Sequence, residues 1–249
     1  MIVPIDDPTD PRLDDFRNLT DADVRPDRRG IVIAEGVNVV ERLVGSPFRM
    51  RAVFGVPAKV AQLPPLDVPV YEGDKWLLSE VVGFRVTRGV LASADRGAPL
   101  DAAGLVATAR RMAVLEGLND FENLGAVFRN AAAFGLDAVL LDRRCADPLY
   151  RRSVRVSMGW ALRVPFAVLP SLDVLREVPT FALTPCGSLP LGEVVVPPRW
   201  AVLLGAEGPG LSESALRAAD VTVRIPMAEG VDSLNVATAA AVAFARLTG

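Results

Sequence analysis

WAVLLGAEGPGLSESAL, Trp200 to Leu216, runs from an apolar stretch through three glycines set around one carboxylate into a segment headed by serine. It reads as a buried strand, a loop whose backbone allows close approach, and a serine-capped helix. The same grammar extends to both sides from Arg111 onward. RMAVLEGL, DAVLLD, PFAVL, TFALTPC and VTVRIPM read as strands, while NLGAVFRNAAAF, PLYRRSVRVSM, DVLREV, SESALRAA and SLNVATAAAVAFARL read as helices. Short, fully apolar strands alternating with helices predict an α/β fold with a mostly parallel sheet covered by helices on both faces. In such sheets ligands sit beyond the carboxyl ends of the strands, so the strand-to-loop transitions are where chemistry is sought.

Upstream, a Pro/Asp-rich tail precedes IVIAEGVNVVERLVGSPFRMRAVF (31–54), which reads as strand, helix, strand. LPPLDVPVYEG ends in another strand, KWLLSEVV (75–82) reads as a helix and TRGVLASA (87–94) as a strand. These elements predict a small α/β domain over 1–100, joined through a linker at 95–104 to a larger domain over 101–249.

Composition narrows the chemistry. The chain has 249 residues and is 51% hydrophobic and 23% charged, which excludes disorder and fibre. With a net charge of −3, a nucleic-acid site has to be a local basic patch. There is no histidine, which removes Ser-His-Asp and Cys-His catalysis and His-ligated zinc, and no metal is expected. Cys145 and Cys186 read as reduced thiols of a cytoplasmic protein. The start lacks a basic region before an apolar core, and no apolar run approaches the roughly 18 residues of a membrane span. Only Lys59 and Lys75 are lysines and the other 25 basic residues are arginine, a residue that forks onto phosphates and stacks on bases.

Three strand ends carry candidate chemistry. In EGLNDFENLGAVFRNAAAFGLDAVLLD (116–142), Asn119, Asp120 and Asn123 crowd a helix start and Arg129 lies inside that helix; an ordinary cap on a solvated face is the competing reading. GAEGPGL lacks the Gly-Lys-Ser/Thr ending of a phosphate loop and the order of a dinucleotide fingerprint, so its residues alone fit a plain turn equally well. In RIPMAEGVDSLNVATAAAVAF (224–244), Ser233 and Asn235 stand at the mouth of an alanine-rich helix that reads equally as a capped core helix.

Taken together in this order, NLGAVFRNAAAFG, GAEGPGL and IPMAEGVDSLNVATAAAVA resemble the three motifs of the SpoU/TrmH-type RNA ribose 2′-O-methyltransferases of the SPOUT superfamily. RVSMGWALRVPF is similar to the family's Ser-Met-Gly segment, and residues 25–95 resemble more loosely the ribosomal-protein-like RNA-binding domain that many members carry. The resemblance implies a trefoil knot near the carboxyl end of the sheet, S-adenosylmethionine as cofactor, rRNA or tRNA as substrate, and a homodimer with the active site at its interface. By position it implies that Gly205, Ile225 and Leu234, with Thr184 and Met227, touch the cofactor, and that Asn123, Arg129, Glu207, Ser233 and Asn235 form the catalytic set. Phe121 replaces a common proline and Ala206 a common asparagine, departures that bear on substrate choice.

Methyl transfer from a sulfonium needs in-line approach of the ribose oxygen and help in removing its proton, which a histidine-free chain can provide. The family casts the arginine as base. A guanidinium with a pKa above about 12 is better suited to stabilising the forming alkoxide, with Glu207 and Asn123 orienting it. Two other readings compete: a catalytically silent RNA-binding or assembly factor on the same fold, and a Rossmann-type enzyme, for which the fingerprint is missing.

Overall fold

The computed structural model describes residues 1–20 and 29–249; positions 25–28 of the loosely resembling segment lie outside them. The strands are β1 (Ile2–Pro4), β2 (Ile31–Glu35), β3 (Met50–Gly55), β4 (Val70–Glu72), β5 (Val90–Asp95), β6 (Arg111–Glu116), β7 (Ala138–Leu141), β8 (Phe166–Val168), β9 (Thr180–Leu183), β10 (Leu189–Pro190), β11 (Trp200–Gly205) and β12 (Val221–Arg224). The helices are α1 (Val37–Val44), α2 (Pro57–Val60), α3 (Lys75–Val82), α4 (Ala102–Thr108), α5 (Phe121–Ala133), α6 (Arg151–Val156), α7 (Glu213–Ala218) and α8 (Val236–Thr248). Residues 1–98 with 147–163 form one compact unit, and residues 99–146 with 164–249 form a second.

The first unit is built on a mixed five-stranded sheet in the order β1-β4-β3-β5-β2. β2 is an edge strand, yet all five of its residues are buried, because α1 and α6 pack on it. An apolar edge left open invites pairing with another chain, and α6 helps to close it. That is the physical reason residues 147–163, expected with the domain over 101–249, pack in the first unit. From α6, Arg151 reaches Glu35 at the end of β2 at 3.0 Å, and both side chains are almost completely buried. The Ser-Met-Gly segment also acts here: Met158 adopts a φ of 55°, and a Cβ on Gly159 would lie 3.2 Å from Val39 of α1.

The Pro/Asp-rich tail is a correction to the sequence reading. Its β1 pairs in parallel with β4, and Leu13, Phe16 and Leu19 are wholly buried, Phe16 lying 5.7 Å from the Phe54 ring. Three apolar anchors spaced among aspartates and prolines are too sparse to show a periodicity, so polar composition masks a core segment.

The second unit has a seven-stranded sheet in the order β10-β12-β9-β11-β6-β7-β8, parallel throughout. Met112, Val114, Leu140 and Leu203 share one core cluster with residues of α4 and α7. The alternate residues Ala113, Leu115, Val139 and Val202 are equally buried, as period-two alternation requires for a sheet covered on both faces. α5 and α8 pack on each other, locked where Asn130 donates to the Ala237 carbonyl at 2.8 Å. α4 starts inside the expected linker, capped by Asp101, and DVLREV forms only a short 3-10 turn. From β6 the chain steps to β7 and β8, then crosses back past β6 to β9, with β11 and β12 later laid on either side of β9, a reversal that leaves a crevice at the strand ends. No helix among the described residues is long and apolar enough to cross a membrane.

Candidate active site

A cavity of about 650 Å³ lies at the carboxyl ends of β9, β11 and β12, within the span of roughly 300 to 1,000 Å³ usual for small-ligand sites. It is lined from the loop after β9, the glycine loop after β11, and the segment between β12 and α8. Thr184, Gly205, Ile225, Met227 and Leu234 all line it, as do Glu207, Ser233 and Asn235.

Each loop has a local reason for its course. Gly205 ends β11 opposite Glu116 of β6, and a Cβ there would lie 2.2 Å from the Gly210 carbonyl carbon and 2.3 Å from the Leu211 nitrogen. The loop doubles back on itself, with the Gly210 N–H donating to the Ala206 carbonyl at 3.0 Å. The glycine is therefore demanded by the loop's own backbone. Gly208 and Gly210 take φ values of 86° and 68°, where a side chain is strained. The loop after β9 is held by Thr184, whose N–H donates to the Val223 carbonyl at 2.9 Å, and by Arg224, which donates to the Gly187 and Ser188 carbonyls.

Asn235 joins the motifs. As N-cap of α8 its Oδ1 accepts from the N–H groups of Ala237 and Thr238 at 2.9 and 3.3 Å. Its Nδ2 donates to Asn123 Oδ1 at 2.9 Å and to Glu207 Oε1 at 2.6 Å. One carboxamide thus caps a helix and ties together the three segments that were separate in sequence. Asn123 is placed by Asp120, the N-cap of α5, which accepts the Asn123 N–H at 2.7 Å. Ser233 and Leu234 reach the cavity from the extended segment before α8.

Arg129 stands apart. It is exposed on α5 and makes no hydrogen bond or ion pair among the described residues. The expected orienting contacts from Asn123 and Glu207 to Arg129 do not form among the described residues; Asn123 Oδ1 and Glu207 Oε1 accept from Asn235 instead.

A further network went unnoticed in the sequence. Glu116, the last residue of β6, accepts from the Ser212 N–H and hydroxyl at 2.8 and 2.7 Å, which pins the exit of the glycine loop. Arg144 bridges Glu116 at 3.0 Å to Asp142 at 2.8 Å, and Asp142 also accepts the Gly117 N–H at 2.9 Å. Burial pushes the Asp142 carboxyl up, but hydrogen bonds from Gly117, Arg144 and Cys145 outweigh it and hold the group below the ordinary value. Burial and the neighbouring Asp142 push the Cys145 thiol up to about 12. The available signal was position: Glu116 and Asp142 each close an apolar strand at the end of a parallel sheet where ligand sites gather.

The chain is similar to known RNA methyltransferases in sequence and in fold. Residues 110–245 match the model of the SpoU rRNA Methylase family. The chain is 51% identical to an uncharacterised tRNA/rRNA methyltransferase of Mycobacterium tuberculosis, over 96% of this chain and 88% of that protein. It is 32% identical to a 23S rRNA guanosine 2′-O-methyltransferase of Bacillus subtilis, over 58% of this chain and 60% of that one. An AdoMet-bound rRNA methyltransferase of Sinorhizobium meliloti shares the fold with a TM-score of 0.83 at 24% identity, over 99% of this chain and 97% of that one.

Proposed function

The chain belongs to the SpoU rRNA Methylase family, and from that membership and the strand-end cavity we propose that it is an S-adenosylmethionine-dependent enzyme methylating a ribose 2′-hydroxyl in rRNA or tRNA. The observation that carries this reading is the Asn235 carboxamide, which draws Asn123 and Glu207 together at the mouth of a cavity of cofactor size. The trefoil knot belongs to the same reading, in which the loops after β9, β11 and β12 wrap one cavity.

The lining suits the cofactor. Leu204, Leu216, Ile225 and Met227 offer apolar surface to a purine, and Thr184, Glu207 and Ser233 offer polar groups to a charged amino-acid end. When bound, S-adenosylmethionine supplies an electrophilic methyl group on a sulfonium sulfur. Thr184, Gly205, Ile225, Met227 and Leu234 hold it, largely through backbone. Glu207 and Asn123, fixed by Asn235, present oriented acceptors at the cavity mouth without rearranging during the reaction. Ser233 shapes the loop between cofactor and ribose. Arg129 grips the target phosphate and stabilises the negative charge that forms on the 2′-oxygen.

Arg129 is exposed with no partner among the described residues, so in this reading its side of the site is open. We place the other side on a second copy of the chain, paired through the outward face of α8, where Thr238, Val242 and Ala245 are exposed. Light scattering at low micromolar concentration is expected to give a dimer, and a monomer that methylates RNA would remove this part of the reading. The protein acts in the cytoplasm, where its RNA substrates are made. Isothermal titration with S-adenosylmethionine, together with maps of 2′-O-methyl groups in total RNA from cells with and without the gene, tests the whole. Cofactor binding and the loss of a methyl group with the gene are expected, and unchanged maps would contradict the reading.

A further inference from the structure

Lys59, Arg88 and Arg155 come from three separate parts of the first unit and line one cavity of about 210 Å³, which also takes in Asn38 at the start of α1. None of the three cations makes an ion pair or a side-chain hydrogen bond among the described residues. The neighbouring carboxylate does not neutralise them, because Glu35 is already engaged by buried Arg151. Unpaired like charges gathered at one concavity repel one another and gain nothing from folding, so their placement calls for an anion from outside.

The cavity is built, with glycines seating two of the cationic stems. The stem of Arg88 passes Gly36, where a Cβ would meet the Arg88 Cβ at 3.5 Å, and the stem of Lys59 passes Gly89, where a Cβ would meet Lys59 Cγ at 3.0 Å. Both glycines take positive φ values, 97° and 73°. Gly36 also serves as N-cap of α1 without any side-chain acceptor for the first amides of that helix, which leaves its positive end open toward the same space. Other arginines of the first unit are arranged differently. Arg51 is paired with Asp15 at 3.0 Å, and Arg49 and Arg85 are exposed outside the cavity.

We propose that this cavity docks a backbone phosphate of the RNA substrate. A singly charged phosphodiester fits the small volume, two guanidinium forks and one ammonium can contact its non-bridging oxygens, and Asn38 at the rim can reach an adjacent sugar or base. The proposal rests on the RNA-methyltransferase reading and sharpens it. The phosphate site draws Lys59 and Arg88 from the leading part of the sequence and Arg155 from within the segment matched by the family model, so removal of residues 1–100 would leave only one of its three cations.

The test compares two double variants of the full chain that remove equal charge, Arg88→Gln/Arg155→Gln and Arg49→Gln/Arg85→Gln. Binding to fluorescently end-labelled, unmodified tRNA and rRNA-domain transcripts is read by anisotropy across a salt series, with thermal unfolding as the check on folding. The cavity variant is expected to bind about tenfold or more weakly, with a salt slope smaller by up to about 0.7 to 0.9, the contribution of the one phosphate the cavity neutralises. The control variant is expected to shift both less. Equal affinity and equal slope for the two variants would overturn the cavity while leaving the RNA reading intact. Absence of RNA binding by the wild-type chain would overturn the underlying reading itself. Acetylation of Lys59 by an N-hydroxysuccinimide ester gives the remaining readout. Protection by RNA supports the proposal, and protection by inorganic phosphate but not by RNA would make the cavity a free-phosphate site and overturn it.

Discussion

In the second unit the polar groups of the site are satisfied by one another: Asn235 holds Asn123 and Glu207 beside the cavity, and Glu116 holds Ser212 at the exit of the glycine loop. In the first unit the cations around the smaller cavity have no hydrogen-bond or ion-pair partner among the described residues. A site whose hydrogen bonds close before a ligand arrives keeps its shape and is suited to positioning a reacting group. A site that leaves charge unpaired gains its energy only on meeting counter-charge, and is suited to docking a polyanion. Arg129 is a cation of the second unit with no partner among the described residues, and in the proposed reaction the docking and the chemical roles meet there.

The sharpest way to break the satisfied side is at Gly205. Even alanine places a Cβ 2.2 Å from the loop's own backbone, so Gly205→Ala, and Gly205→Val still more, is expected to displace the loop and abolish cofactor binding by titration. A folded Gly205→Val protein that titrates like wild type would show that the loop does not shape the cavity. On the other unit the corresponding blow is Phe16→Ala. Truncating this wholly buried ring is expected to cost about 3 to 5 kcal/mol in denaturant unfolding. A cost below about 1 kcal/mol would return the first residues to the status of a tail.

Next in size is Arg129→Ala. Loss of alkoxide stabilisation is expected to lower the single-turnover rate about 10²-fold or more with cofactor affinity unchanged, and Arg129→Lys should also be poor, because a point charge lacks the guanidinium fork. A rate within about threefold of wild type would mark the arginine as an ordinary surface residue. Asn235→Asp separates the two duties of one side chain. The variant keeps an acceptor for the Ala237 and Thr238 amides, so the cap survives, but it sets a second carboxylate against Glu207 where an amide donor stood. A rate loss of about tenfold with thermal stability nearly unchanged is expected, whereas loss of stability without loss of rate would make Asn235 a cap alone.

The smallest effect is a pH dependence at Cys145, in the network around Asp142. The folded-state pKa of Cys145 lies near 12 against an ordinary value of 9.0, so the folded form holds its proton where the unfolded form has lost it. Stability from this group is intact below pH 9 and falls as pH rises from about 9 toward 12, by on the order of 1 kcal/mol at pH 10. Cys145→Ala should flatten that part of the stability profile, and an unchanged alkaline slope would assign it elsewhere.

Much of the second unit was legible because its signals are local. An apolar strand, a glycine loop and a capped helix each announce themselves within about a dozen residues, whereas Gly205, Glu207 and Asn235 are marked as a site by the order in which the three motifs resemble the SpoU/TrmH-type family. What the sequence hid is what depends on contact across distance. Nothing near Asn235 indicates that its amide reaches Asn123 and Glu207 at once. Nothing in RRSVRV indicates that α6 leaves its neighbours in sequence to cover β2, carrying Arg155 to Lys59 and Arg88. The burial of the first residues is hidden because it rests on Ile5, Leu13, Phe16 and Leu19, scattered among polar neighbours.

The central claim is tested most directly by the position of the transferred methyl group. The intact protein is incubated with methyl-labelled S-adenosylmethionine and unmodified rRNA and tRNA transcripts, and the RNA is then hydrolysed in alkali. A methyl group on the 2′-oxygen blocks that oxygen from attacking the adjacent phosphate, so the label is expected in alkali-resistant dinucleotides, and with Arg129→Ala it should fall about 10²-fold or more while titration still shows cofactor bound. Label recovered on mononucleotide bases, or cofactor binding with no label in either class of RNA, would contradict the account.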